Sequence, residues 1–267
     1  MNEGEILEEA SKFSEASIEM LREITPELPF GNEEDIKSHS GMISRIGLKW
    51  AVLGLRYFPQ GLFEILEKNL GKEQSAKLEY EYGKTCGTDI HERFRVLGLS
   101  DLEALIATMS VSCYCGWGIP YFPDTEGVVS MLTSAVDSVG KEKRLDMSVR
   151  EFADKIKPET EKYGGRVEMI FEEEARSVFN LYWINSFVAE SYMYKKDRYE
   201  EPVCHFLSGV THGVLDLFAS AVVRETEEKY GIKFPFDVSM EYVKETSCKA
   251  QGKRFCTMEW SIKTAKR

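Results

Sequence analysis

The chain has 267 residues, 43% of them hydrophobic and 12% aromatic, which is ample for a packed core in one large domain or two small ones. Its net charge is −11 and no strongly basic run occurs, so nucleic acid is not expected as a direct partner: a phosphate-binding surface needs clustered Lys and Arg. No apolar run approaches the ~20 residues of a membrane span, and the acidic start MNEGEILEEA is unlike a signal peptide, so a cytoplasmic protein with no membrane partner is expected.

Helical patterning dominates the first half. Residues 5–24 place Ile6, Leu7, Ala10, Phe13, Ile18, Leu21 and Ile24 close to helical spacing, and Pro26 and Pro29 stop the run. A second helical stretch covers about 41–70, interrupted at Pro59-Gln60-Gly61, and a third covers about 72–96 and ends at Gly98. Ser100-Asp101-Leu102-Glu103 reads as a capping box that opens a helix running to about Ser112. From Gly116-Trp117-Gly118 to Ser138 the pattern suggests a hairpin broken near Asp124-Thr125-Glu126-Gly127.

The charged stretch 140–175 has the look of an insertion, with a surface helix over Val149–Lys162. Val178–Tyr194 is rich in Phe, Tyr, Trp and Ile and suits a strand, although periodicity leaves a helix open. Pro202 marks a helix start, followed by apolar residues from Val203 to Val223 and a stop at Gly231. The last two runs alternate as strands do, with Val238, Met240 and Tyr242 on one face and Cys256, Met258, Trp260 and Ile262 on a face of the next.

Four residues suit a metal. Glu245 and Cys248 lie three positions apart, Cys256 follows eight later across a polar turn, and Cys204 opens the apolar run upstream. In a reducing compartment such cysteines are thiols rather than disulfides. Three thiolates and a carboxylate fill a Zn²⁺ coordination shell with no open position, which describes a structural site rather than a catalytic one. By spacing alone the alternative stays open that these are small buried apolar residues. His205 and His212, seven positions apart on one helix face, and the thiols of Cys113 and Cys115 are further candidates for chemistry, whereas Cys86 has no partner in sequence. No phosphate loop or nucleophile elbow is present in the sequence.

Several short motifs go further. Trp183-Ile184-Asn185-Ser186-Phe187, Glu201-Pro202-Val203-Cys204, Lys244-Glu245-Thr246-Ser247-Cys248 and Gly116-Trp117-Gly118 make the region from about 48 to 262 resemble the 4-vinyl reductase domain. That domain occurs in archaeal hydrocarbon-binding proteins and in the sensor portion of phenol-responsive activators. The resemblance implies an α+β fold, an antiparallel sheet packed with helices, of the kind shared by nitric-oxide sensors and Golgi-tethering subunits. Residues 1–47 would form an N-terminal helical segment and 48–267 the ligand-binding domain. It also implies structural zinc on Cys204, Glu245, Cys248 and Cys256, and a pocket for a small hydrophobic or aromatic molecule lined by Trp183, Phe187, Tyr114 and Trp117. Two departures stand out: about eighteen extra residues over 222–239, and no histidine between His91 and His205 to match the one that holds phenol in the sensors.

The expectation is therefore a binding module, a cytoplasmic sensor or carrier that forms a homodimer through its helices and signals to a separate effector protein. The alternative is an enzyme acting on a small hydrophobic substrate, either vinyl-reductase-like or a hydrolase.

Overall fold

The computed structural model describes residues 2–24, 59–114, 118–121, 125–162, 164–193 and 198–267. In chain order these form α1 (Glu3–Ile24), α2 (Pro59–Leu70), α3 (Lys72–Val96), α4 (Asp101–Tyr114), β1 (Ile119–Tyr121), α5 (Thr125–Glu142), α6 (Val149–Lys162), β2 (Arg166–Phe171), β3 (Glu174–Ile184), α7 (Phe187–Met193), α8 (His205–Tyr230), β4 (Phe236–Ser247), a 3₁₀ turn (Lys249–Gln251) and β5 (Cys256–Lys266). The expected α+β class holds: the strands form one antiparallel five-stranded sheet in the order β1-β3-β5-β4, with β2 also paired to β3. Register is set by Pro120 opposite Trp183 in the β1–β3 pair and by Val167 opposite Ser177 in the β2–β3 pair.

By contact density the chain falls into two units. One gathers Met1–Tyr121, Tyr182–Val214 and Glu245–Thr257, and the other Phe122–Leu181, Leu215–Lys244 and Met258–Arg267. In the first unit, the start of the apolar stripe of α1 is covered by its own chain: Ile6 and Ala10 pack with Tyr121, Ile184 and Phe255.

Helix α3 buries an unusual face. Ser75, Glu79, Gly83, Gly87, His91 and Phe94 are inside, while Leu78, Tyr82 and Val96 are exposed. The reason is backbone proximity to α8. A Cβ on Gly83 would lie 2.1 Å from the Phe206 carbonyl oxygen, one on Gly87 2.2 Å from that of Val210, and one on Gly209 2.0 Å from that of Tyr80. Only glycine admits such an approach, so the small and polar stripe becomes the inner one.

The second unit has a conventional aromatic core. Phe152 on α6 packs tilted against Phe236, ring centres 5.2 Å apart, and meets Phe234 edge-on at 6.2 Å. Helix α6 is thus no plain surface helix: Val149, Phe152, Ala153, Ile156 and Thr160 form a buried face, and Ser148 and Glu151 cap its start reciprocally.

Three local expectations need correction. Residues 125–138 belong to helix α5, not to a hairpin, because Leu132, Ala135, Val136 and Val139 recur at helical spacing and are buried together. The aromatic run from Val178 is a strand only to Ile184. Asn185 then takes φ 56°, a left-handed conformation that asparagine tolerates, and turns the chain into α7. The third concerns α8, which is long and apolar enough to cross a membrane. Yet 78% of that apolar window is buried inside the protein, as in a core helix. The expected helix over 41–58 lies outside the described residues, and the capping box at Ser100 and the helices over 72–96 and 149–162 form where expected.

Candidate metal centre

Three separated segments of the first unit converge on one point. Pro202 ends the incoming loop and α8 begins at His205, which sets Cys204 just before the first turn. Glu245 lies near the end of β4, Cys248 begins the 3₁₀ turn, and Cys256 starts β5. Gly252, at φ 81°, lets that turn reverse the chain so that Cys248 and Cys256 come together.

The three sulfurs lie 3.3 Å (Cys204–Cys256), 3.6 Å (Cys248–Cys256) and 3.7 Å (Cys204–Cys248) apart. With a Glu245 carboxylate oxygen, all four ligand atoms fall within 4.8 Å of one another. Those separations are far too long for a disulfide and near the roughly 3.8 Å expected between thiolates on a tetrahedral zinc.

The surroundings fit a cation. Glu245 Oε2 accepts a hydrogen bond from the Cys204 amide at 3.2 Å, whereas buried Oε1 has no partner among the described residues. Cys256 Sγ accepts from the Lys249 amide at 3.3 Å. Burial, ahead of the charge on Cys248, pushes the Glu245 carboxyl up to about 9. Burial likewise raises the Cys204 thiol well above its usual range, while contacts with Cys204 and Cys256 pull Cys248 well below it. Left to themselves the four groups can keep little charge in this dry place, and a bound cation is what would let all of them ionise.

Ser186 completes the cluster, and the sequence did not single it out. Its Oγ lies 3.2 Å from Cys204 Sγ and accepts the Ala189 amide at 3.2 Å, so one hydroxyl caps α7 and touches the metal-ligand set. The only signal for it was its place within the Trp183–Phe187 motif, where a serine before an apolar run is also an ordinary N-cap.

Trp183 is buried at 1% exposure, and its indole N–H donates to Thr211 Oγ1 at 3.3 Å. Thr211 in turn donates to the Leu207 carbonyl at 2.9 Å. Phe187 is buried and meets Phe206 edge-on, with ring centres 6.3 Å apart. The side chains of Tyr114, Trp117, Cys113 and Cys115 lie outside the described residues. His212 Nδ1 is bonded to the Tyr80 hydroxyl and its Nε2 lies 3.4 Å from Lys84 Nζ, which ties α8 to α3, while burial lowers the pKa of His205. Cys86 is a half-buried free thiol.

Three buried thiols and a partly buried carboxylate, all within 4.8 Å of one another, define the class of site: a four-residue cluster that could hold a metal ion. No known protein family matches the chain, and neither does any curated protein. Among solved structures, the chain is similar to the phenol-responsive sensory domain of the transcription activator PoxR, solved with phenol. The TM-score is 0.42 and the identity 14%, over 79% of this chain and 73% of that one.

Proposed function

We propose that this protein is a sensor or carrier for a small hydrophobic or aromatic molecule, on a 4-vinyl-reductase-like fold pinned by a structural zinc ion. The observation that carries the reading is the convergence of Cys204, Glu245, Cys248 and Cys256, the same four residues that the motifs pick out. Zinc there would supply cross-linking energy in place of a disulfide, and the protein residues would do the rest.

The ligand half of the reading rests on the Trp183–Phe187 segment. A ligand hydroxyl that takes the Trp183 N–H has to displace Thr211, whose own hydrogen stays with the Leu207 carbonyl. The exchange is nearly neutral in hydrogen bonds, so burial of the apolar ring would set the affinity. Burying ~150 Å² is worth about 4 kcal/mol before the costs of association. A closed metal centre leaves no coordination position for a substrate, which favours binding over turnover.

Native mass spectrometry of freshly purified protein would report metal, ligand and oligomer together, and is expected to show one zinc per chain. Titration with a panel of phenols and small aromatics, followed by tryptophan fluorescence, should show binding that Trp183→Ala weakens while zinc content stays intact. Chemical conversion of any panel member that depends on Cys113, Cys115 or His205 would place the protein among enzymes instead. A panel that fails to bind at all would refute the ligand class.

A further inference from the structure

We propose that the groove beside the metal-bearing turn is a second binding site, specific for a small anion of the carboxylate or phosphate class. It stands apart from the aromatic ligand proposed above and uses none of the same residues. The groove has a volume of about 580 Å³ and is lined by Arg198, Tyr199, Glu200, Thr246, Gln251 and Lys253. That size matches small-molecule sites in general.

Its walls are held in place. The Tyr199 amide donates to the Ala250 carbonyl at 2.8 Å, and Gln251 Nε2 donates to the Glu200 carbonyl at 2.8 Å. These two bonds join segment 198–200 to the turn between Cys248 and Cys256. Arg198 lies across that turn: a Cβ on Gly252 would sit 3.6 Å from Arg198 Nε. Glycine at this position serves the left-handed backbone, and the guanidinium lies within van der Waals reach of it.

Charge decides the ligand class. Two nearby lysines are paired, Lys249 with Glu190 and Lys72 with Glu201 at 3.0 Å. Arg198 and Lys253 form no ion pair among the described residues, in a chain whose net charge is −11. The single carboxylate on the lining, Glu200, engages neither of them within the described residues. Among the described residues, an incoming anion meets two unpaired cations against one carboxylate, on a surface whose backbone is already tied down.

Titration calorimetry of the full-length, zinc-replete chain with inorganic phosphate and separately with succinate, at low ionic strength, tests this. One of the two should saturate with a Kd of about 1 mM or tighter, and which one does assigns the class between phosphate and carboxylate. Arg198→Gln and Lys253→Gln should each weaken that binding about tenfold, and Glu200→Gln should tighten it. Zinc content and binding of aromatics should not change in these variants. The proposal fails if neither anion saturates by about 10 mM, or if the Arg198→Gln/Lys253→Gln double variant binds as tightly as the parent.

Discussion

Cys204 and Cys256 hold their sulfurs 3.3 Å apart although 52 positions separate them in the chain. With Cys248 and Glu245 they form a cluster that a bound metal would turn into a cross-link. Structural zinc in small sites contributes about 10–16 kcal/mol, all of it at folding. Cys248→Ser should therefore lower metal content and thermal midpoint together, read by elemental analysis and calorimetry on the same sample. A variant that keeps one zinc per chain and the parental midpoint would rule out the four-ligand centre.

Gly83→Ala should destabilise the protein by about 3 kcal/mol in urea unfolding, despite alanine being the better helix former by about 1 kcal/mol. The added Cβ would stand 2.1 Å from the Phe206 carbonyl oxygen, against rigid backbone. Gly231→Ala is the comparison: it meets no neighbouring atoms within 4 Å, and its φ of 62° costs alanine only about 1–2 kcal/mol. Equal losses at the two positions would mean that α3 and α8 are not in backbone contact.

Glu79 gives a pH signature. Ser75 donates to its Oε1 at 3.4 Å, Oε2 has no partner among the described residues, and burial pushes the carboxyl up to about 8. Its folded pKa lies above the unfolded value of about 4.3, so the protonated form favours folding. The stability it contributes is complete below about 4.3 and is lost as pH rises through 8. Glu79→Gln should therefore match the parent near pH 4 and exceed it by a few kcal/mol, about 2–4, near pH 8. Denaturant titrations at a series of pH values check this, and parallel curves for the two proteins would dismiss it.

The two capping boxes should be worth similar amounts. Ser100→Ala and Ser148→Ala each remove a hydroxyl that accepts the amide three residues on, from Glu103 at 3.3 Å and from Glu151 at 3.2 Å. Each should cost about 1 kcal/mol, with little change in denaturant m-value.

How much of this was legible depended on whether periodicity or packing decided the element. Ser100-x-x-Glu103 and the alternation of Val238 with Met240 announce themselves, because capping and pleat are local rules. The four candidate metal ligands were legible as a set through short motifs, but the distances between them had to come from the fold. Helix α5 was obscured by Asp124-Thr125-Glu126-Gly127, which reads equally as a turn or as a helix start. Glu79 could not be seen at all. A glutamate on a stripe of serine and glycine reads as solvent-facing, and only the approach of α8 puts it inside. Arg198 and Lys253 were equally silent, since their meeting depends on the turn that the cysteines close.

The glycines at 83, 87 and 209 have a mechanical consequence. Two helices that touch backbone to backbone mesh like a key in a keyway, with no side-chain layer between them to deform. Helix α3 cannot roll or slip against the start of α8 without driving main-chain atoms into one another. A displacement of α3 would bear directly on the α8 backbone from Phe206, two residues after Cys204.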